Sequence, residues 1–385
     1  MEAQQTFTGY AQIDLSAVRH NVGVLARRAP NAQVMAVVKA DAYGHGLLEV
    51  ARAAVQGGAQ VLGAAQLNEA LTLRAVGHEE EIFTWLHTPQ TDFAAAVAAD
   101  LTLGLSAPWA LVQVAAAAAD QEKTATVHLK VDTGLHRNGA PATQFPQLLE
   151  QAAALQDRGL IKLAGVWSHF SSADLANHSS IAQQVEVLDE AWQRARAYST
   201  HVIRHIANSA ATLTVPQYAF DLVRPGIALY GLTPSPELGR AADFGLRPVM
   251  SVHSNLALVK PAAAGAPVSY GQTYHTAEPT QLGLVPLGYA NGVSRLASGP
   301  DGTPGAPVQI NGQRHHISGR VCMDQFVVDL GPTSTAQAGD EVVLYGGESG
   351  PTAEDWAAAT NTINYEVVTR FGANLPRHYV GIEEQ

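Results

Sequence analysis

The chain has 385 residues, 46% of them hydrophobic and only 15% charged, which is enough apolar material for a large core. With 23 Lys+Arg against 34 Asp+Glu the net charge is −11, and no long basic run is present, which argues against nucleic-acid and anionic-membrane partners. The single cysteine, Cys322, excludes an intrachain disulfide; without a signal peptide or an apolar run of spanning length, a soluble cytoplasmic protein is expected.

In chain order, short apolar runs predict strands at 34–39, 61–66, 81–86, 101–106, 126–132, 163–169, 202–209 and 222–231. Helical segments fall between them, at 47–57, 67–76, 107–119, 142–158 and 177–199. Near-continuous apolar runs suit parallel strands covered on both faces. Eight βα units in about 200 residues suggest a (β/α)8 barrel. A doubly wound sheet is the alternative, but no GxGxxG follows the first strand. After residue 240 helical periodicity fades. Runs such as "MSVHSNLALV", "LGLVPLGY", "PVQINGQ", "FVVDL" and "DEVVLYG" are punctuated by Gly, Pro and Asn-Gly. They predict a C-terminal, mainly antiparallel β domain with a hairpin at "INGQ". One helix is expected in it, near "TAEDWAAATN", with a Thr352 cap and Asp355 at N3. The expected domains are 1–240 and 241–385.

Polar residues gather at the C-terminal ends of the apolar runs: Lys39, Asp132, His169, Ser209 and Arg224. In a barrel these ends share the rim that carries chemistry. A desolvated lysine there loses part of its charge and becomes a nucleophile toward carbonyls, including the aldehyde of pyridoxal phosphate (PLP). The alternative for Lys39 is a side chain that reaches water or pairs with Asp41. Ser209 at a strand-to-helix turn, Gly226 after Pro225, and Tyr43 suit a phosphate cradle, although each residue type is common in turns.

"AVVKADAYGHG", "HLKVDTGLHRNG", "GVWSHFSSAD", "ANSAAT", "RPGIALYG", "PVSYGQTY", "PLGYANG", "GRVCMDQ" and "TINYEV" occur here in the order found in alanine racemases. The resemblance covers nearly the whole chain, from "AQIDLSAVRHN" to "LPRHYV". It implies a PLP-dependent isomerase that interconverts L- and D-alanine and supplies D-alanine for peptidoglycan. It also implies a homodimer in which the β domain of one subunit completes the barrel site of the other. No metal is implied.

Under this resemblance Lys39 holds PLP as a Schiff base and serves as the base for the D-enantiomer, while Tyr270 in "SYGQTY" serves the L-enantiomer. A tyrosine titrates unaided near pH ~10, so a base there needs polar support. The family gives that role to His169, linked to Arg224, which also faces the pyridine nitrogen. The implied cofactor contacts are Lys39, Tyr43, Arg137, His169, Asn208, Ser209, Arg224, Gly226 and Ile227. Arg137, Met323 and Asp324 match substrate-carboxylate positions. Asp174, Tyr289, Arg295 and Arg320 match the entrance. Lys130 matches a lysine carbamylated in some members.

Two departures stand out. Many members carry "MGRLG" where this chain has "LHRNG", which places Asn138 beside Arg137. Ala373 stands where many members place a tyrosine three residues before the proline. Among other readings, a PLP-binding homeostasis protein lacks the C-terminal domain. A basic-amino-acid decarboxylase carries a "CES" motif that Met-Asp-Gln after Cys322 does not supply. A broad-specificity racemase stays open.

Overall fold

The computed structural model describes residues 8–175, 178–300, 302–347 and 349–382. They form two compact units. One comprises Val18–Ala42 and Leu47–Arg247; the other comprises the N-terminal segment to Ala17, Tyr43–Gly46 and the chain from Pro248.

In the first unit, eight parallel strands follow one another around a nearly closed barrel: Gln33–Val37, Val61–Ala64, Glu81–Thr84, Thr102–Leu105, Ala125–Asp132, Ile161–Trp167, Ile203–His205 and Leu222–Val223. The eighth pairs back onto the first, Leu222 opposite Gln33. Backbone bonds from Asp221 N to Arg204 O (3.3 Å) and Arg224 N to Ala207 O (2.9 Å) draw the seventh and eighth together. The (β/α)8 expectation holds, with two local corrections. The run at 202–209 is a strand only over Ile203–His205, because Asn208 caps a helix that starts at Ser209. The run at 222–231 is a strand only over Leu222–Val223; Pro225 ends it, and Ile227–Tyr230 form a fully buried 3-10 turn.

Helices cover the barrel with apolar stripes. Leu47–Gln56 buries Leu47, Val50, Ala51, Ala53 and Ala54, a helical repeat. The alanine tract lies in the helix Pro108–Asp120. Ser180–Arg196 buries Ile181, Gln184, Leu188, Ala191 and Ala195 at alternating spacings of three and four. Residue 177, where this helix was expected to begin, lies outside the described residues. A short helix Phe93–Ala98, capped by Asp92, was not foreseen.

The barrel interior is filled by rings. Phe83 packs edge-on to Trp167 (centroids 5.3 Å apart, planes 82°), and Trp167 stacks on His205 (5.7 Å, 5°). Gly165 makes room for this layer, since a Cβ there would lie 2.6 Å from the His128 ring.

The second unit is built on a six-stranded sheet ordered Gln313–His316, Pro307–Ile310, Glu341–Tyr345, Met250–Asn255, Gly9–Asp14, Arg377–Val380. All neighbours are antiparallel except the last pair. Leu258–Ala262, Thr280–Val285 and Phe326–Gly331 form a second, antiparallel sheet. The Asn311–Gly312 hairpin is present, both residues having positive φ as the turn demands. Thr352 and Asp355 form the expected capping box on Ala353–Ala359, and a second helix, Asn364–Asn374, follows.

The units do not divide at residue 240. Gly9–Asp14 buries Ala11 and Ile13 on alternate positions within the second unit's sheet, so this strand belongs there and not to the barrel.

Candidate active site

The barrel rim is organised by Arg224, just beyond the eighth strand and only 6% exposed. Its Nη1 donates to His205 Nδ1 (2.9 Å). Its Nη2 donates to Ser168 O (2.6 Å) and His169 Nδ1 (3.3 Å). A guanidinium has no acceptor, so both Nδ1 atoms accept and each imidazole carries its proton on Nε2. His205 Nε2 then donates to His128 Nδ1 at 2.9 Å, which fixes the next tautomer as well. Burial and the Arg224 charge hold His169 and His205 far below the usual histidine range and bring His128 to about 3, so all three are neutral at pH 7. Burial and Arg137 push Arg224 down to about 9, which still leaves it cationic at neutral pH.

Lys39 follows the first strand. It opens a left-handed turn in which Ala40, Asp41, Ala42 and Tyr43 all have φ of 54°. L-residues adopt this conformation at a cost of about 1–2 kcal/mol each. Side-chain and backbone bonds hold the turn: Ala42 N donates to Val38 O (2.8 Å), Asp41 N to Glu69 Oε1 (3.1 Å), and Leu47 N to Asp41 Oδ1 (2.7 Å). Burial first, then Arg137, lowers the Lys39 pKa, against an opposing pull from Glu69. Lys130, inside the fifth strand, holds Nζ 4.3 Å from the Trp167 ring centroid. Burial, then Arg224 and Arg137, brings it down to about 7. Arg137 is exposed in a loop anchored by Asp132, whose Oδ1 accepts from Gly134 N (3.0 Å) and His136 N (3.1 Å). Lys39, Lys130, Arg137 and Arg224 thus form a cationic cluster in which the Arg137 charge lowers the pKa of the other three.

An anion cradle lies beside it. Ser209 Oγ, buried, accepts from Gly226 N (2.9 Å) and Ala228 N (3.2 Å), which leaves its hydroxyl proton to donate elsewhere. Asn208 Oδ1 caps Ala211 N at 3.1 Å, and the first-turn N–H groups of this helix lack intrahelical acceptors. Ile227 is fully buried, and Tyr230 Oη donates to Val37 O (2.9 Å), tying this turn to the strand that leads to Lys39. Trp167 Nε1 and Asn138 Oδ1 are among the buried polar atoms of the described barrel residues that have no hydrogen-bond partner. Asp174 lies half-buried in the loop after the sixth strand.

The second unit gathers the remaining residues on one set of loops. Tyr270 follows Ser269, whose φ is 63° and whose Oγ donates to Arg320 O at 2.6 Å. Gly271 leaves room for Arg320, since a Cβ there would lie 2.8 Å from the guanidinium. Tyr289 N donates to Cys322 O (3.1 Å) and Ala290 N to Met323 O (2.9 Å). Arg295 and Arg320 line one open groove of about 670 Å³ with Thr273 and Leu296. Tyr270 (70%), Met323 (54%) and Tyr289 (41%) are exposed, as are Asp324 and Arg295. Tyr43 sits with its ring 6.2 Å from Tyr365.

Residues 13–234 match the family model "Alanine racemase, N-terminal domain", and residues 249–379 match "Alanine racemase, C-terminal domain". The chain is 52% identical over 373 residues to the alanine racemase of Frankia casuarinae, covering 96% of each. The chain belongs to the alanine racemase family. Among solved alanine racemases, that of a D-cycloserine-producing Streptomyces lavendulae superposes with a TM-score of 0.95, at 48% identity and 99% coverage of both chains. The Bartonella henselae alanine racemase, solved with covalently bound pyridoxal phosphate, gives 0.85 at 28% identity, with 97% and 100% covered. Alanine racemases depend on PLP. The four cations and the serine–amide cradle fit a ligand with phosphate and phenolate charges, and the lysine of lowered pKa fits its aldehyde.

Sequence reasoning on the alanine racemase motifs missed three residues. His128 and His205 each look like isolated core histidines; only the fold links them to Arg224 in one hydrogen-bond chain. Tyr365, within "TINYEV", stands beside Tyr43, whereas Ala373 is exposed near the far end of the same helix.

The Lys130 shift has a consequence for stability. Its folded pKa is about 7, against 10.5 for an ordinary lysine, so folding bears the full cost of burying the cation below pH 7. The unfolded chain binds more protons between these values, and stability from this group rises with pH by up to about 1.4 kcal/mol per unit. Lys130→Met should therefore stabilise the cofactor-free protein most below pH 7, with the advantage shrinking toward pH ~10. Denaturant melts of both proteins from pH 6 to 9 test this; a gap that stays constant contradicts it.

Proposed function

We propose that the protein interconverts L-alanine and D-alanine with PLP held covalently by Lys39. The observation that carries this reading is the cluster of Lys39, Lys130, Arg137 and Arg224 at one barrel rim, where burial and neighbouring cations lower the pKa of Lys39, Lys130 and Arg224 against the weaker pulls of Glu69 on Lys39 and Asp132 on Lys130. Such a cluster calls for an anionic ligand.

When bound, the cofactor supplies the electron withdrawal that acidifies the amino acid Cα–H. Ser209, Asn208, Gly226, Ile227 and Tyr43 would hold its phosphate. Arg224, cationic at neutral pH, would face the ring nitrogen as a donor that keeps its proton, and so would leave that nitrogen unprotonated. Arg137 binds the substrate carboxylate with bidentate geometry, assisted by Met323 and Asp324. Lys39 Nζ exchanges the Cα proton on the face that serves D-alanine. Tyr270 Oη exchanges it on the opposite face, with His169 as its hydrogen-bond partner. Lys130 near neutrality populates the free amine, the form that carbon dioxide carbamylates. A carbamate there would turn one of four cations into an anion for Arg137; Asn138 Oδ1 offers a neutral acceptor for the same purpose.

We read the active form as a homodimer. Tyr270, Met323 and Tyr289 are large apolar or aromatic side chains left exposed on one set of loops, and Leu296 nearby is 69% exposed. A second copy would cover them and would place Tyr270 opposite a Lys39 of the other chain. Asp174, Tyr289, Arg295 and Arg320 then line the entrance. No helix among the described residues is long and apolar enough to cross a membrane. The reading places the enzyme in the cytoplasm, where D-alanine enters peptidoglycan synthesis.

Chiral assay of purified protein on a panel of L-amino acids tests the activity. L-Alanine should be converted far faster than the others; equal rates across the panel would make the protein a broad-specificity racemase. Borohydride reduction with peptide mapping should place a pyridoxyl group on Lys39, and a label on another lysine overturns the assignment.

A further inference from the structure

The helix Ser180–Arg196 faces the barrel with five buried residues, four of them apolar and one an amide, Gln184, which is 1% exposed. Its hydrogen-bonding capacity is filled. Oε1 accepts from Ser171 N (2.9 Å) and Ser171 Oγ (3.1 Å). Nε2 donates to Thr133 Oγ1 (2.9 Å) and His169 O (3.0 Å). Thr133 Oγ1 in turn shares a hydrogen bond with Ser168 Oγ at 2.8 Å. These partners belong to two rim loops. Thr133 begins the loop after the fifth strand, which carries Arg137 and is held on its other side by Asp132. Ser168, His169 and Ser171 form the loop after the sixth strand. An apolar residue would serve helix packing alone; a four-bond amide specifies geometry.

We propose that Gln184 is a positioning residue that locks the His169 loop to the Arg137 loop and so sets the spacing between the tyrosine's partner and the carboxylate-binding arginine. This rests on the roles given above to His169 and Arg137. The His169 ring is aimed from one side by Arg224, while its backbone is fixed from the other by Gln184. Neither hold suffices alone, because the Arg224 bond leaves the backbone free to shift and the Gln184 bond leaves the ring free to turn. A shift of about 1 Å between catalytic groups can cost on the order of 100-fold in rate.

Two variants separate the parts. Gln184→Met keeps length and apolar volume and removes all four bonds. Gln184→Glu keeps the acceptor for Ser171 and removes both donors. Hydrogen–deuterium exchange of the cofactor-free proteins reads the coupling directly. In Gln184→Met, peptides spanning 133–137 and 168–171 should exchange about tenfold faster, with the Leu47–Gln56 helix unchanged. In Gln184→Glu, the Ser171 amide should stay protected while 133–137 loosens. In the cofactor-loaded enzymes, both variants should lose about 10–100-fold in kcat with borohydride labelling of Lys39 intact. Faster exchange with kcat and KM unchanged would make Gln184 a structural anchor only and overturn the proposal. A lower kcat with neither loop loosened overturns it too. Absence of a Lys39 label in the wild-type enzyme would instead fail the functional reading, and exchange would still decide whether Gln184 couples the loops.

Discussion

Lys39→Ala should leave a folded protein that retains no covalent cofactor and racemises alanine at least about 1,000-fold more slowly in both directions. The loss combines two roles, attachment and proton transfer at Nζ. The bonds from Ala42 N to Val38 O, Asp41 N to Glu69 Oε1 and Leu47 N to Asp41 Oδ1 stay available to the left-handed turn after the substitution. Removing a partly desolvated cation from beside Arg137 should relieve repulsion. The variant should thus melt no lower than the cofactor-free wild type, measured by circular dichroism. Added methylamine provides a further check: an external amine that restores part of the rate identifies the missing group as an amine base. Undiminished activity, or a pyridoxyl label on Lys130, would remove Lys39 from its proposed position.

Tyr270→Phe should keep the Lys39 label and lose about 100- to 10,000-fold in proton abstraction from L-alanine, with a smaller loss from D-alanine. Deuterium wash-in at Cα, followed separately from each enantiomer, reads the two faces apart; equal losses contradict a two-base division. A hybrid dimer tests where the tyrosine comes from. Co-expressing Lys39→Ala and Tyr270→Phe chains with different tags yields a heterodimer with one doubly damaged site. Its other site takes Lys39 from the tyrosine variant and Tyr270 from the lysine variant. About half the wild-type activity is expected of it. Activity no higher than the mean of the two variant homodimers would place both bases on one chain.

Much of this architecture is legible in the residues because parallel barrel strands are buried on both faces and read as continuous apolar runs. The eight runs fall where the strands do. The ends blur where apolar residues are buried for another reason. Ile227–Tyr230 pack as a 3-10 turn, and only Pro225 betrays that the strand has stopped. Gly9–Asp14 escaped notice because it is six residues long and its partners lie at the other end of the chain. At the site, the polar residues at strand ends mark the rim, but their roles came from the family resemblance. The hydrogen-bonded His205 and His128, and the amide of Gln184, depend on contacts between strands and helices distant in sequence. Gln184 did carry one local signal, a polar residue on an otherwise apolar helical stripe.

The placement of Gly9–Asp14 has a consequence for how the chain matures on the ribosome. It emerges well before its partners, since Gly9 pairs with Ser254 and Ala11 with Arg377. At about 5–20 residues per second, its last partner leaves the ribosome on the order of 20–70 s after it does. Residues 18–247 can close their barrel in that interval, while the strand waits with two bare edges. It sits between Met250–Asn255 and Arg377–Val380, so it acts as the keystone joining the latest of the described strands to the sheet. A fusion that tethers or crowds the N-terminus would then impair the final docking of the C-terminal strand, and nascent chains stalled before residue 250 would carry an unpaired strand open to chaperone capture.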